Sequence, residues 1–84
     1  MSFIDRLEKN IAKRERDIEK ENEKINELKN KLKSNEITRA KYNIKKGKID
    51  DKIRNIDTRI RTLKGIIIKE KKHIEEKNKK KMEK

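Results

Sequence analysis

Isoleucine or leucine returns every seven residues along most of this chain, and that repeat limits the fold more than any other feature. With Ile4 at heptad position a, the a positions read Ile4, Ile11, Ile18, Ile25, Leu32, Arg39, Lys46, Ile53, Ile60, Ile67 and Ile74. The d positions read Leu7, Arg14, Glu21, Leu28, Asn35, Tyr42, Ile49, Ile56, Leu63 and Glu70. An apolar period of about 3.5 residues lays one narrow stripe along an α-helix and calls for a second helix to cover it. Charged residues make up 52% of the chain, a balance that a disordered polyampholyte could share, and the period decides for helix. There is no proline, and Lys, Glu, Arg and Leu, all good helix formers, are abundant. The expected fold class is all-α, an antiparallel two-helix coiled-coil hairpin, with one long continuous helix in a dimer as the alternative.

The stripe fails in one place. Between Leu32 and Ile49 the core positions are Asn35, Arg39, Tyr42 and Lys46, and Ile37 falls off the stripe. Ser34 and Asn35 suit a helix exit, because Asn follows Gly in tolerance of a left-handed cap, and the Thr38 hydroxyl can cap the next helix. The reading is one domain over 1–84: a first helix over about 3–33, a turn over 34–38, a second helix over 39–76 and a frayed basic tail over 77–84. A hairpin of these lengths predicts a rod of about 50 to 60 Å, against about 120 Å for a single helix.

Folding about residue 37 pairs an a with a d position wherever residue numbers sum to 74. Five such layers are apolar: Leu7 with Ile67, Ile11 with Leu63, Ile18 with Ile56, Ile25 with Ile49, and Leu32 with Tyr42. Ile4 with Glu70, Arg14 with Ile60, Glu21 with Ile53 and Leu28 with Lys46 are mixed. On the edges Glu8 would meet Lys71, Glu15 Lys64, Lys29 Asp50 and Asp17 Arg59. Two straight helices in an antiparallel dimer would form the same layers; the turn chemistry favours the hairpin. Leu32, Ile37-Thr38, Tyr42 and Lys46 resemble the turn of short bacterial and archaeal two-helix oligomerisation modules, without the glycine usual before the Ile-Thr pair. That resemblance implies shape and self-association. A dimer or larger assembly is expected, with Ile66, Ile68 and Phe3 as the contact between hairpins, since one two-helix seam buries little.

Charge is distributed unevenly. Residues 1–28 sum to -1, residues 29–48 to +7, residues 49–68 to +2 and residues 69–84 to +4. Across one edge Lys24 would face Lys52, and Lys31 would face Lys45. Like charges held opposite each other cost stability unless a polyanion neutralises them, which points to an external phosphate ladder. The candidate phosphate-binding residues are Lys24, Lys29, Lys31, Lys33, Arg39, Lys41, Lys45, Lys46, Lys48 and Lys52.

Other chemistry finds no support in the residues. There is no cysteine, and His73 has no second ligand near it in sequence, so neither a metal nor another cofactor is expected. A two-helix seam offers no concave, water-poor site, and Gly47 and Gly65 are isolated, so the chain reads as a non-enzyme. No apolar run reaches the ~20 residues of a membrane span, and Met1 to Asp5 lacks the pattern of a signal peptide. A cytoplasmic location, in the nucleoid, is the expectation, with no membrane partner.

Only Phe3 and Tyr42 are aromatic, too few for the stacking platforms that bind single strands. Duplex DNA is therefore the expected partner, with RNA as a further possibility, bound through its backbone without sequence reading. A basic leucine zipper would place its basic residues before the heptads, whereas here heptads flank the basic block on both sides. In composition the chain resembles the small basic chromatin proteins of archaea, which implies an architectural, nucleoid-type role. The competing expectation is a coiled-coil scaffold or adaptor that docks a protein and uses its lysines only for solubility.

Overall fold

A computed structural model describes the backbone of residues 2–82 and the side chains of residues 2–77. Helix α1 spans Phe3–Lys33, helix α2 spans Arg39–Met82, and the two pack against each other as a hairpin. Among the described residues there is no strand.

Local chemistry fixes both ends of α1. Ser2 is extended and accepts a hydrogen bond at Oγ from the Asp5 backbone N–H (3.1 Å), while Asp5 Oδ2 accepts one from the Ser2 N–H (3.3 Å). This reciprocal box satisfies two donors that the first turn leaves orphaned, and the Asp5 charge suits the positive end of the helix. At the other end Asn35 takes the left-handed conformation, φ 62°. The Asn35 N–H then donates to the Leu32 carbonyl (3.2 Å) and the Glu36 N–H to the Lys31 carbonyl (2.9 Å). These are the two bonds of a Schellman stop, and asparagine fills the place glycine usually takes. Three residues on, Thr38 Oγ1 accepts from the Lys41 N–H (3.2 Å) and starts α2.

The core follows the pairing expected from the heptads. Ile11, Ile60, Leu63 and Ile67 form a buried cluster, with Ile4, Leu7, Ile18 and Ile56 packed on it. Both members of three layers, Leu7 with Ile67, Ile11 with Leu63 and Ile18 with Ile56, meet there. Nearer the turn Ile25, Leu28 and Tyr42 are buried and Leu32 and Ile49 half-buried. Two helices cannot surround a side chain, and even the best-covered core residues, Ile60 and Leu63, keep 4% of their surface exposed.

Two expectations need correction. Helix α2 does not stop at 76 but continues to Met82, so the basic tail expected to fray at 77–84 is helical as far as 82; Glu83 and Lys84 lie outside the described residues. Nothing after Gly65 opposes helix, the remaining residues being mostly Lys, Glu and Ile. A helix of 44 residues is about 66 Å long, and the rod accordingly measures 72 × 20 × 13 Å, longer than 50 to 60 Å. Nor do Glu8 with Lys71, Glu15 with Lys64, Lys29 with Asp50 or Asp17 with Arg59 close into ion pairs. Asp50 instead pairs with Lys46 (2.8 Å), four residues along the same helix, as Asp57, which belongs to none of the expected pairs, does with Arg61 (3.0 Å). An i,i+4 partner is already held at the right spacing, so less side-chain freedom is lost in pairing.

The caps carry the first prediction. Thr38→Ala should lower stability by about 1 kcal/mol, whereas Asn35→Gly should leave the melting temperature unchanged or raise it, because glycine meets a positive φ without strain. Thermal denaturation followed by circular dichroism distinguishes these outcomes; a destabilised Asn35→Gly protein would contradict the left-handed stop.

Candidate nucleic-acid interface

The hairpin folds the two ends of the basic segment onto each other. Residues 29–33 close α1, residues 39–48 open α2, and the turn joins them, so a stretch continuous in sequence becomes one end of the rod, here termed the tip. Lys29, Lys31, Lys33, Arg39, Lys41, Lys45 and Lys48 are all exposed there. Among the described residues none of these seven pairs with a carboxylate, and Glu36 is the single acid between residues 29 and 48.

The other three candidates are engaged. Lys46 sits half-buried at an a position beside Leu28 in register and donates to Asp50, whose carboxylate holds the lysine above its ordinary pKa. Lys24 and Lys52 do not simply oppose each other across an edge. Glu21 lies between them, and its Oε1 is 3.0 Å from Lys52 Nζ on α2 and 3.1 Å from Lys24 Nζ on α1. Glu21 is 5% exposed, the one buried charged side chain among the described residues. The hydrogen bond from Lys52 is the main force holding its pKa below the ordinary glutamate value; burial pulls the other way, and Lys24 adds a second, weaker bond.

This changes the argument from like charges. At the Lys24 and Lys52 level the fold supplies its own counter-ion, and no external phosphate is needed to explain the juxtaposition. At the Lys31 and Lys45 level no ion pair forms. There Lys24, Lys31, Lys45 and Lys48 border a shallow interhelical groove whose floor is Leu28 and Ile49 and which also takes in Glu27. Glu21 was legible as a polar d residue, but its reach to two lysines was not. The available signal was spacing: Lys24 lies one turn after Glu21, and in the hairpin register Lys52 comes beside the layer that Glu21 forms with Ile53.

The expected contact between hairpins also divides. Phe3, Ile66 and Ile68 are exposed, by 54%, 37% and 60%. Ile66 and Ile68 are about 200° apart around α2, on opposite flanks of the seam, and one flat interface cannot take both. Phe3 shares the Ile66 flank. Elsewhere, His73 is exposed and, among the described residues, no three His, Cys, Asp or Glu side chains gather as a metal site. No helix among the described residues is long and apolar enough to cross a membrane. Comparison with family models, with curated proteins and with solved structures finds no match to this chain.

The shared carboxylate generates a pH prediction. A glutamate whose folded pKa is depressed stabilises the fold above its unfolded pKa, about 4.3, and that contribution is lost as pH falls through the lower folded value. Glu21→Gln should therefore lower stability at pH 7, on the order of 1 kcal/mol because both lysines are largely solvated. It should also shrink the further loss of stability between pH 5 and the acid limit. Denaturant melts at pH 7 and across that range read both effects; an acid limb unchanged in the variant would show that the clamp is not stabilising.

Proposed function

We propose that the tip binds the phosphate backbone of duplex nucleic acid, DNA foremost, without reading sequence, and that the protein is an architectural binding protein and not an enzyme. The observation that carries this reading is the set of seven exposed cations, Lys29, Lys31, Lys33, Arg39, Lys41, Lys45 and Lys48, gathered at one end with no carboxylate partner. A fold gains nothing from concentrating unpaired charge of one sign, whereas a polyanion releases its counter-ions when it meets such a surface. Tyr42 supports a duplex over a single strand, because it is buried in the seam at 8% exposure and cannot stack on bases. Lys24, Lys46 and Lys52, held by Glu21 and Asp50, sit at the margin of this surface.

One observation favours a second reading. The groove bordered by Lys24, Lys31, Lys45 and Lys48 has an apolar floor of Leu28 and Ile49, which an acidic amphipathic helix of a protein partner would fit. The chain would then be a scaffold.

A duplex contact neutralising about 4 to 6 phosphates predicts a slope of about -4 to -5 in log affinity against log salt, with little preference among sequences. Changing Lys31, Lys45 and Lys48 to glutamine should flatten that slope by about 2 to 3 and leave the helical signal intact. Gel-shift titrations at several salt concentrations measure both. A triple variant with the parent's affinity and slope would remove the tip as the site. If the parent binds no duplex at about 50 mM salt, where screening is weak, the nucleic-acid reading fails and the scaffold reading replaces it.

A further inference from the structure

Acids and bases that mix along the rod separate around it. With a and d in the seam, heptad positions g and c lie to one side of each helix and e and b to the other. In an antiparallel pair like flanks meet, so g and c of both helices share one broad face of the hairpin. Two shallow grooves lie on this face. The one bordered by Lys24, Lys31, Lys45 and Lys48 is followed, toward the open end, by a second lined by Asp17, Lys20, Glu21, Lys24, Lys52 and Ile56. Every residue that lines either groove is at g, c or d.

Between Phe3 and Lys77 the helical residues at g and c include eleven bases against three acids, Asp17, Glu27 and Glu76. Those at e and b, on the opposite face, include six bases against seven acids. The tip contributes Lys31, Lys41, Lys45 and Lys48 to the basic face. Lys24 and Lys52 follow, sharing one carboxylate and each more than half exposed, so their level keeps a net positive charge. Beyond them come Lys20, Lys13 and Arg6 on α1 and Arg59 and Lys69 on α2, all exposed. Solubility is served by both signs interspersed, whereas sorting like charges onto one face costs repulsion that a polyanion removes. From Lys41 to Lys69 the face runs about 42 Å at 1.5 Å per residue, a little more than one turn of duplex, about 34 to 36 Å. Among the described residues, the large apolar side chains exposed on it are Phe3 and Ile66, both at the open end. A lipid surface would need an apolar strip along the length, so the face suits a duplex better.

We propose that the duplex lies lengthwise along this face, the tip being one end of a phosphate-binding surface that reaches to Arg6 and Lys69. The proposal rests on the duplex reading of the tip and extends it. A duplex is a cylinder whose strands wind away from a straight rod, so only part of the eleven cations meets phosphates at once. The contact with about 4 to 6 phosphates is then spread along the rod instead of being confined to the tip. The opposite face, where acids slightly outnumber bases, is turned away from the nucleic acid.

Two triple variants of the full chain, equal in charge, test this. One changes Lys13, Lys20 and Arg59 to glutamine, all on the basic face and all outside residues 29–48; the other changes Lys9, Lys64 and Lys71, exposed but off that face. Circular dichroism checks that both remain helical. In gel-shift titrations on a duplex of two helical turns, the first should bind at least about fivefold more weakly at about 50 mM salt and flatten the log-log salt slope by about 1 to 2. The second should flatten it by less than about 0.5. If the parent binds, the tip variant weakens binding and these two triples behave alike, the duplex meets the tip end-on; the lengthwise contact is overturned and the duplex reading of the tip stands. A parent that binds phosphatidylserine vesicles but no duplex overturns both.

Discussion

Everything in this molecule depends on the turn that brings one isoleucine stripe back against itself. An isolated stripe of this kind has no interior; it acquires one only when a second stripe covers it in register. The left-handed Asn35, the paired bonds to Leu32 and Lys31, and the Thr38 cap set where the chain reverses, and so which a position meets which d position. A shift of that point by one residue would carry α2's isoleucines off the α1 face. The same register puts Glu21 between Lys24 and Lys52, gathers residues 29–48 into a tip and leaves Ile74 beyond the start of α1.

Glu21 illustrates how such a seam tolerates polarity. A buried carboxylate with one lysine would be an expensive substitute for leucine, because desolvation offsets most of the attraction. Here it accepts from two ammonium groups on different helices, both still largely in water, and so costs less while tying α1 to α2 at one level. The clamp also separates the rod's two regimes of charge. Toward the open end acids and bases are mixed, while residues 29–48 toward the tip hold eight bases against Glu36 alone. The binding surface proposed at the tip begins where acids become scarce in the sequence.

The parts legible in the sequence are those a heptad grid encodes. The helix count, the layers around Ile11, Leu63, Ile18 and Ile56, the exit at Asn35 and the cap at Thr38 all follow from residue type and spacing. The grid assigns a position but not the reach of a long side chain. Glu21 therefore looked like an isolated polar d residue, and Lys24 with Lys52 like an uncompensated pair. The expected pair of Lys29 with Asp50 fails for a related reason: proximity in the grid does not account for Asp50 having a nearer partner, Lys46, on its own helix. The capping box lies in the Ser2 to Asp5 spacing, a short-range signal separate from the apolar repeat that follows it. The end of α2 was not encoded by any stop signal; with neither proline nor a late glycine, the helix continues past the point where its seam is useful, and the rod is longer than pairing alone requires.

Labelling distances within one chain test the central claim, that this chain reverses on itself at Asn35, most directly. Lys13 and Arg61 are exposed and lie on opposite arms. Spin labels at these two positions, measured by pulsed dipolar spectroscopy in a sample diluted with excess unlabelled chain, should give one distance below about 30 Å, set by an interaxial separation of about 10 Å and the label arms. Dilution should not change it. A continuous helix would place the labels about 72 Å apart within the chain, and a short distance that disappeared on dilution would belong to a dimer of straight helices; either result would contradict the hairpin.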